Sequence, residues 1–247
     1  MKGLVLAAGY ATRLYPLTKN QPKPLLEVAG KSILDYTVEK MDRVDTIDEI
    51  IIVTNEKFTP HFTEWANQAN YSKKITVVND QTTTNENRLG AIGDIQFVID
   101  ELELKDDLMV FAGDSIFDFE LTDFAAYFDE VSTDIVGAYL EENEGQRKRA
   151  GIVEIDENSK VLSFEEKPKQ PKSPYAAPAF YLFKVETLPE FKNYLDEGFN
   201  ADAPGHFIPY LIKKKNVHVF KFNERHDIGT LESYERAQKL FDSDRQE

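Results

Sequence analysis

The chain has 247 residues, 41% of them hydrophobic and 30% charged, with a formal net charge of −15 and no cysteine. This length suits one large α/β domain or two small ones and can bury a real core, and the composition argues against disorder. Strong acidity argues against non-specific nucleic-acid binding and against an anionic membrane surface, and the lack of cysteine excludes disulfides, zinc–thiolate sites and thiol catalysis. A phosphate-bearing ligand must therefore meet a local basic pocket or a metal ion. The N-terminal apolar run is too short for a signal peptide and no run reaches membrane-spanning length, so a cytoplasmic location is expected.

Gly3 to Ala7 is a short apolar run ending at Gly9, which predicts a buried strand feeding a loop. Ile33 to Val44 has helical spacing, Glu49 to Thr54 reads as a strand, and Phe58 to Ala69 as a second helix. Ile75 to Val78 (strand), Leu89 to Leu102 (helix) and Leu108 to Ala112 (strand) continue the alternation. Such β-α-β order predicts an α/β fold, a Rossmann-like three-layer α/β/α sandwich around a mixed, mostly parallel sheet. The second half changes texture. Strands are expected at Ile135 to Leu140, Gly151 to Ile155, Val161 to Phe164, Ala179 to Phe183 and Val217 to Phe222. A hairpin turn falls in Glu154 to Ser159, and helices at Leu188 to Leu195, His206 to Lys213 and Thr230 to Phe241. No repeat or low-complexity linker separates the halves, so a single domain is expected.

Leu6 to Leu26 is the most informative segment. It holds Arg13, Lys19 and Lys23 and no acidic residue. Leu6, Ala8 and Gly9 follow the first strand, where small residues let backbone N–H groups approach a phosphate. In a parallel sheet, ligands bind at the carboxyl ends of strands, so the loop is well placed. Pro22 and Pro24 restrict the backbone around Lys23, and the cations of Arg13 and Lys23 can neutralise phosphate charge. Gly30-Lys31-Ser32 resembles the end of a Walker A loop, but Leu25 stands where that loop needs glycine. It is read instead as the opening of a helix.

Asp114 follows a buried strand, where a carboxylate can hold Mg²⁺ against a triphosphate; taken alone, it reads more readily as a turn or helix-cap aspartate. Asp227 lies between a predicted strand and helix. Glu165-Glu166-Lys167-Pro168 offers hydrogen-bond acceptors for a hydroxyl and an ammonium for a phosphate, or else a charged hairpin edge. Asn79 to Gly90 is a polar loop between strand and helix. The four histidines have no metal-ligand spacing.

Leu-Ala-Ala-Gly-x-x-Thr-Arg-Leu-x-Pro-Leu-Thr, followed by Pro-Lys-Pro-Leu-Leu, resembles the signature of the sugar-phosphate nucleotidylyltransferases. The resemblance returns, in the family's order, at Phe111-Ala-Gly-Asp114, Ala150-Gly-Ile-Val153, Phe164-Glu-Glu-Lys-Pro168 and Asp227-Ile-Gly-Thr230. It covers nearly the whole chain. Ala11 departs from it where a second glycine is common, and Ser115 where Asn or His is usual.

The resemblance implies transfer of a nucleotidyl group from an NTP to a sugar 1-phosphate, with release of pyrophosphate. Arg13 and Lys23 become the catalytic cations. Leu6, Ala8, Gly9, Asn79 and Gly90 bind the nucleotide. Gly151, Glu166 and Lys167 bind the acceptor, and Asp114 and Asp227 share Mg²⁺. Residues from about 1 to 115 would form the nucleotide-binding half and those from about 116 to 247 the acceptor-binding half of one domain.

The base and the acceptor stay open. The Asn79–Gly90 loop is longer than in thymidylyl enzymes, and Tyr175-Ala-Ala-Pro-Ala-Phe-Tyr181 lacks the Thr-Gly common in hexose-1-phosphate enzymes. A phosphocholine or phosphopolyol acceptor is an alternative, with Tyr175, Phe180, Tyr181, Phe207 and Tyr210 as material for a cation cage, or simply as core. A silent, nucleotide-binding regulatory subunit is another. A glycosyltransferase is disfavoured, because Asp114-Ser-Ile116 is not Asp-x-Asp. No β-solenoid extension is expected, and self-association into a homo-oligomer stays open.

Overall fold

A computed structural model describes residues 1–243. Strands are β1 (Lys2–Leu6), β2 (Glu27–Val28), β3 (Lys31–Ser32), β4 (Glu49–Thr54), β5 (Lys74–Asn79), β6 (Leu108–Ala112), β7 (Ser115–Phe117), β8 (Asp134–Leu140), β9 (Gly151–Ile155), β10 (Val161–Glu166), β11 (Tyr175–Ala177), β12 (Phe180–Phe183), β13 (Val217–Phe222) and β14 (Arg225–Asp227). Helices are α1 (Ile33–Asp42), α2 (Thr59–Gln68), α3 (Ala91–Glu101), α4 (Leu121–Val131), α5 (Glu144–Arg147), α6 (Leu188–Asp196), α7 (Ile208–Leu211) and α8 (Leu231–Ser243).

One ten-stranded sheet runs in the order β10-β9-β11-β8-β12-β6-β1-β4-β5, with β13 added beside β8. The parallel part is β6-β1-β4-β5, as the alternating first half predicts. β12 enters antiparallel between β6 and β8 and joins the two halves into one sheet. β10, β11 and β12 run against the other strands, which keep the direction of β1.

Alternation along β1 divides the core. Leu4 faces a layer built from Ile92, Ile95 and Val98 of α3, Phe191 of α6 and Leu211 of α7. Val5 faces the opposite layer, built from Leu34, Val38 and Met41 of α1, Phe62 of α2 and Phe124 and Phe128 of α4. Strands covered on both faces are apolar throughout, and Ile50, Ile51, Ile52 and Val53 are all completely buried. At the centre, Phe111 stacks on Phe180 with ring centroids 4.5 Å apart and meets Phe124 edge-on at 5.8 Å.

Gly30-Lys31-Ser32 opens a helix, as expected. Ser32 caps α1 by accepting the Asp35 N–H at 3.1 Å and donates to that residue's carboxylate at 2.6 Å. The helix expected over His206 to Lys213 is shorter: a 3₁₀ turn at Pro204–His206 leads into α7. Pro209 is tolerated there because it falls in the first turn. Five small elements were not expected: the β2–β3 hairpin, β7, β11, α5 and β14, as well as the full-length helix α4.

Candidate active site

The loop after β1 is tied down from below. Thr54 Oγ1 donates to the Ala7 carbonyl at 3.2 Å, Asn55 Nδ2 to the Ala8 carbonyl at 2.8 Å, and buried Thr18 Oγ1 to the Ala11 carbonyl at 2.7 Å. Ala11 sits in the left-handed region at φ 45°, which explains why glycine is common there. A methyl built on Gly9 meets nothing within 4 Å, so open space lies where a ligand would approach the backbone.

Lys23 opens a 3₁₀ turn between buried Pro22 and Pro24. A Cβ on Gly113 would lie 3.2 Å from Pro24, so the two loops pack closely. That contact sets Lys23 Nζ 3.1 Å from Asp114 Oδ2, with the lysine side chain only 9% exposed. Leu6, Ala7, Gly9, Ala11, Arg13 and Lys23 share a cleft of about 230 Å³ with Ala112, Gly113, Asp114 and Gly229. It lies at the carboxyl ends of β1 and β6. A methyl on Gly229 would come within 2.8 Å of Asp227 Oδ2 and 3.7 Å of Arg13 Nη2, so Asp227 and Arg13 flank the same point.

Asp114 and Asp227 are brought together by a separate two-stranded sheet. β14 pairs antiparallel with β7, setting Asp227 opposite Ser115 and Arg225 opposite Phe117. The Ile228 N–H closes the join on the Asp114 carbonyl at 3.2 Å. Arg225 Nη2 lies 2.8 Å from Asp227 Oδ1 and 3.9 Å from Asp114 Oδ1, and Arg225 Nε donates to Ser115 Oγ at 3.0 Å. Burial pushes the Asp114 carboxyl up, but the cations of Lys23 and Arg225, with hydrogen bonds from Lys23 and Ser115, hold it well below the usual carboxylate range. Two carboxylates that already reach toward one cationic nitrogen form an oxygen-only donor pair suited to a hard divalent cation, which takes its other ligands from phosphate and water.

Gly151, Glu166 and Lys167 form a second group. Glu166 lies opposite Gly151 across β9–β10, and Gly151 lies opposite Ala177 of β11. The chain then passes to Ala179, whose carbonyl accepts the Ala112 N–H at 3.0 Å, so this group sits beside the end of β6. The Glu166 side chain is 14% exposed and packs on Gly205 of the Pro204–His206 turn. Lys167 adopts φ 49° and is 62% exposed, its Nζ 3.7 Å from Glu166 Oε1.

Asn79 and Gly90 stand apart from the 230 Å³ cleft. The Asn79 amide is engaged, donating to Glu56 and accepting the Gln81 N–H at 2.8 Å. Gly90, at φ +80°, lets the start of α3 press on the chain at Ala201, and the Ala91 and Ile92 N–H groups donate to the Asp202 and Ala201 carbonyls at 3.1 and 2.9 Å. Beneath this loop, Asp80 and Asp94 form a buried carboxyl pair, 3% and 6% exposed. Asp80 Oδ1 accepts from Thr82 at 2.7 Å, and burial plus the Asp80 charge push Asp94 up to about 8, so it keeps its proton at neutral pH.

Sequence reasoning missed Arg225 and Ser115. Nothing local marks an arginine two residues before Asp227 as a partner of residue 114; only the β7–β14 register does. The five aromatic residues considered for a cation cage do not converge on one point, although Phe207 and Tyr210 touch with ring centroids 5.9 Å apart. Phe180 packs with Phe111 and Phe222 in one core layer, while Tyr181, Phe207 and Tyr210 lie in the opposite one. Among the described residues, no helix is long and apolar enough to cross a membrane.

Comparison with known proteins agrees with this architecture. The chain is 32% identical over 192 residues to a protein of Sulfolobus acidocaldarius provisionally assigned as a mannose-1-phosphate guanyltransferase, covering 76% of this chain and 50% of that protein. It is 27% identical to a glucose-1-phosphate adenylyltransferase of Geobacter metallireducens, covering 95% of this chain and 64% of the relative. The chain thus spans between half and two thirds of the length of these relatives. A crystal structure from Bacillus anthracis, provisionally assigned as a glucose-1-phosphate thymidylyltransferase and holding a sucrose, shares the fold with a TM-score of 0.76 at 24% identity, over 98% of this chain and 95% of that one. The family model for nucleotidyl transferases matches residues 2–243, and the chain belongs to that family.

Proposed function

We propose that this chain transfers a nucleotidyl group from an NTP to a sugar 1-phosphate, yielding an NDP-sugar and pyrophosphate. The observation that carries the reading is the meeting of Lys23, Asp114, Asp227 and Arg13 at the carboxyl ends of β1 and β6. The relatives named above have sugar 1-phosphates in their names, which supports the choice of acceptor class.

An acceptor phosphate oxygen forms a bond to the α-phosphorus as the bond to the bridging α–β oxygen breaks, and pyrophosphate leaves. Both reactants are anions, so positioning and charge neutralisation carry most of the catalysis. Backbone N–H groups of Ala8 and Gly9 orient the triphosphate beyond Leu6, the Ala7 N–H being given to the Val53 carbonyl at 2.9 Å. Lys23, nearly buried and fixed by two prolines, neutralises the α-phosphate and the incoming oxygen. Arg13 stabilises charge on the departing pyrophosphate. Glu166 accepts from an acceptor hydroxyl, Gly151 leaves room for the acceptor against the backbone, and exposed Lys167 meets its phosphate. Asn79 and Gly90, which lie outside the cleft that takes the phosphates, are left to contact the base. Asp114 and Asp227 would hold Mg²⁺, which supplies Lewis-acid neutralisation of phosphate charge when bound.

The test is pyrophosphate release from each of the four NTPs with Mg²⁺ against a panel of sugar 1-phosphates, phosphopolyols and phosphocholine. Turnover with a sugar 1-phosphate supports the reading. Turnover confined to phosphocholine or a phosphopolyol moves the acceptor to the alternative class, and no turnover with any pair leaves a nucleotide-binding regulatory subunit.

A further inference from the structure

The two acidic residues of the site are already engaged by cations of the protein itself. Lys23 takes one oxygen of Asp114, while Arg225 Nη2 lies 2.8 Å from Asp227 and 3.9 Å from the other Asp114 oxygen. Arg225 is not a loose surface residue. Its side chain is 17% exposed, its Nε is held by Ser115 Oγ at 3.0 Å, and β14 fixes its backbone against β7. Ser115 in turn donates to Asp114 Oδ1 at 3.0 Å, so guanidinium, hydroxyl and carboxylate form one connected set. A guanidinium stays charged throughout the working pH range, so it cannot vacate the position by losing a proton. It can only be outcompeted. A divalent cation between these carboxylates would sit within a few ångströms of it and be repelled.

We propose that Arg225 is a built-in competitor for the divalent-cation position: it keeps Asp114 and Asp227 gathered and neutralised, weakens binding of the bare cation, and so favours a cation that arrives already bound to the nucleotide's phosphates. Polyphosphate brings the negative charge that compensates Arg225 and Lys23 once the carboxylates turn to the metal. Lysine at this position would keep the charge but lose the fork that reaches Ser115 and Asp227 together. The inference rests on the assignment of the cation to Asp114 and Asp227.

Binding of Mn²⁺ to the full chain, followed by electron paramagnetic resonance of the free ion without nucleotide, separates the two. Arg225→Gln and Arg225→Met, two uncharged variants whose folding is checked by thermal unfolding, should bind Mn²⁺ about tenfold more tightly than wild type. Arg225→Lys should stay within about threefold of wild type. Inorganic tripolyphosphate should tighten Mn²⁺ binding by a larger factor in wild type than in Arg225→Gln. Unchanged or weaker Mn²⁺ binding in the uncharged variants, or equal tripolyphosphate factors, overturns the role of Arg225. Wild-type Mn²⁺ affinity in Asp114→Asn and Asp227→Asn would instead show that the cation is held elsewhere, a failure of the underlying assignment.

Discussion

The ammonium of Lys23 lies 3.1 Å from the Asp114 carboxylate, joining the Pro-Lys-Pro turn to the end of β6 across 91 residues of sequence. The lysine side chain is 9% exposed and the aspartate side chain 40%, so the pair lies at the mouth of the cleft, half out of water. Such a pair adds modestly to stability, about 1 kcal/mol or less. In the proposed reaction its larger use is to hold a cation where phosphate charge develops. Lys23→Ala should lower pyrophosphate release by about 100- to 1,000-fold while moving the unfolding midpoint only slightly. Near-normal turnover in the variant would remove Lys23 from the chemistry.

The Asp80–Asp94 pair makes stability depend on pH. Asp94 is pushed up to about 8 by burial and by Asp80, whereas in the unfolded chain it titrates near its ordinary 3.8. The folded state therefore holds a proton that the unfolded state releases. This contribution is complete below about pH 4 and is lost as pH rises through about 8. Asp94→Asn, neutral at every pH, should raise the unfolding midpoint at pH 9 by about 1 kcal/mol or more, roughly 2–4 °C, with a smaller gain at pH 5. An equal effect at both pH values would show that the pair does not share a proton.

In the proposed reaction, Gly205 gives selective access to the acceptor side. A methyl there would lie 2.2 Å from Glu166 Oε2 and 2.9 Å from the Phe164 ring, so the carboxylate must swing away. Gly205→Ala should raise KM for the acceptor about tenfold and leave nucleotide affinity within about twofold, as expected when one charge-assisted hydrogen bond is lost. Steady-state kinetics with each substrate varied in turn distinguishes this from a general loss. An effect confined to the nucleotide would place Glu166 elsewhere in the reaction.

Phe111 is completely buried and stacks between the two halves, on Phe180 at 4.5 Å and beside Phe117 at 5.2 Å. Phe111→Ala should cost about 3–5 kcal/mol through lost burial and the cavity left behind. Denaturant unfolding measures it. A loss under about 1 kcal/mol would mean that the layers close over the gap.

Much of this protein is legible in one dimension because its signals are local. Strands β4 and β6 fall at the residues where apolar runs place them, since burial on both faces leaves a direct trace in composition, and β13 falls where apolar–polar alternation places it. Helix α4 is equally local in its signal, with Leu121, Phe124, Ala125 and Phe128 recurring at helical spacing in a stretch that carries no motif. The cationic loop also announces itself locally, whereas Asp114 and Glu166 read alone as a turn aspartate and a charged hairpin edge and are marked only by the family resemblance. Other features exist only through long-range register. Residues Ser115–Phe117 and Arg225–Asp227 have no strand pattern of their own, and each is extended because the other pairs with it. Arg225 comes to lie between Asp114 and Asp227 by that pairing, and Asp80, one residue past β5, meets Asp94 of the first turn of α3 only in the folded chain. The amino-acid order alone decided the alternation, the layers and the charge of the loop, because periodicity and composition act over a few residues. Which cation stands between which carboxylates was decided by the fold, because electrostatic interaction depends on distance in space and chain separation says nothing about it.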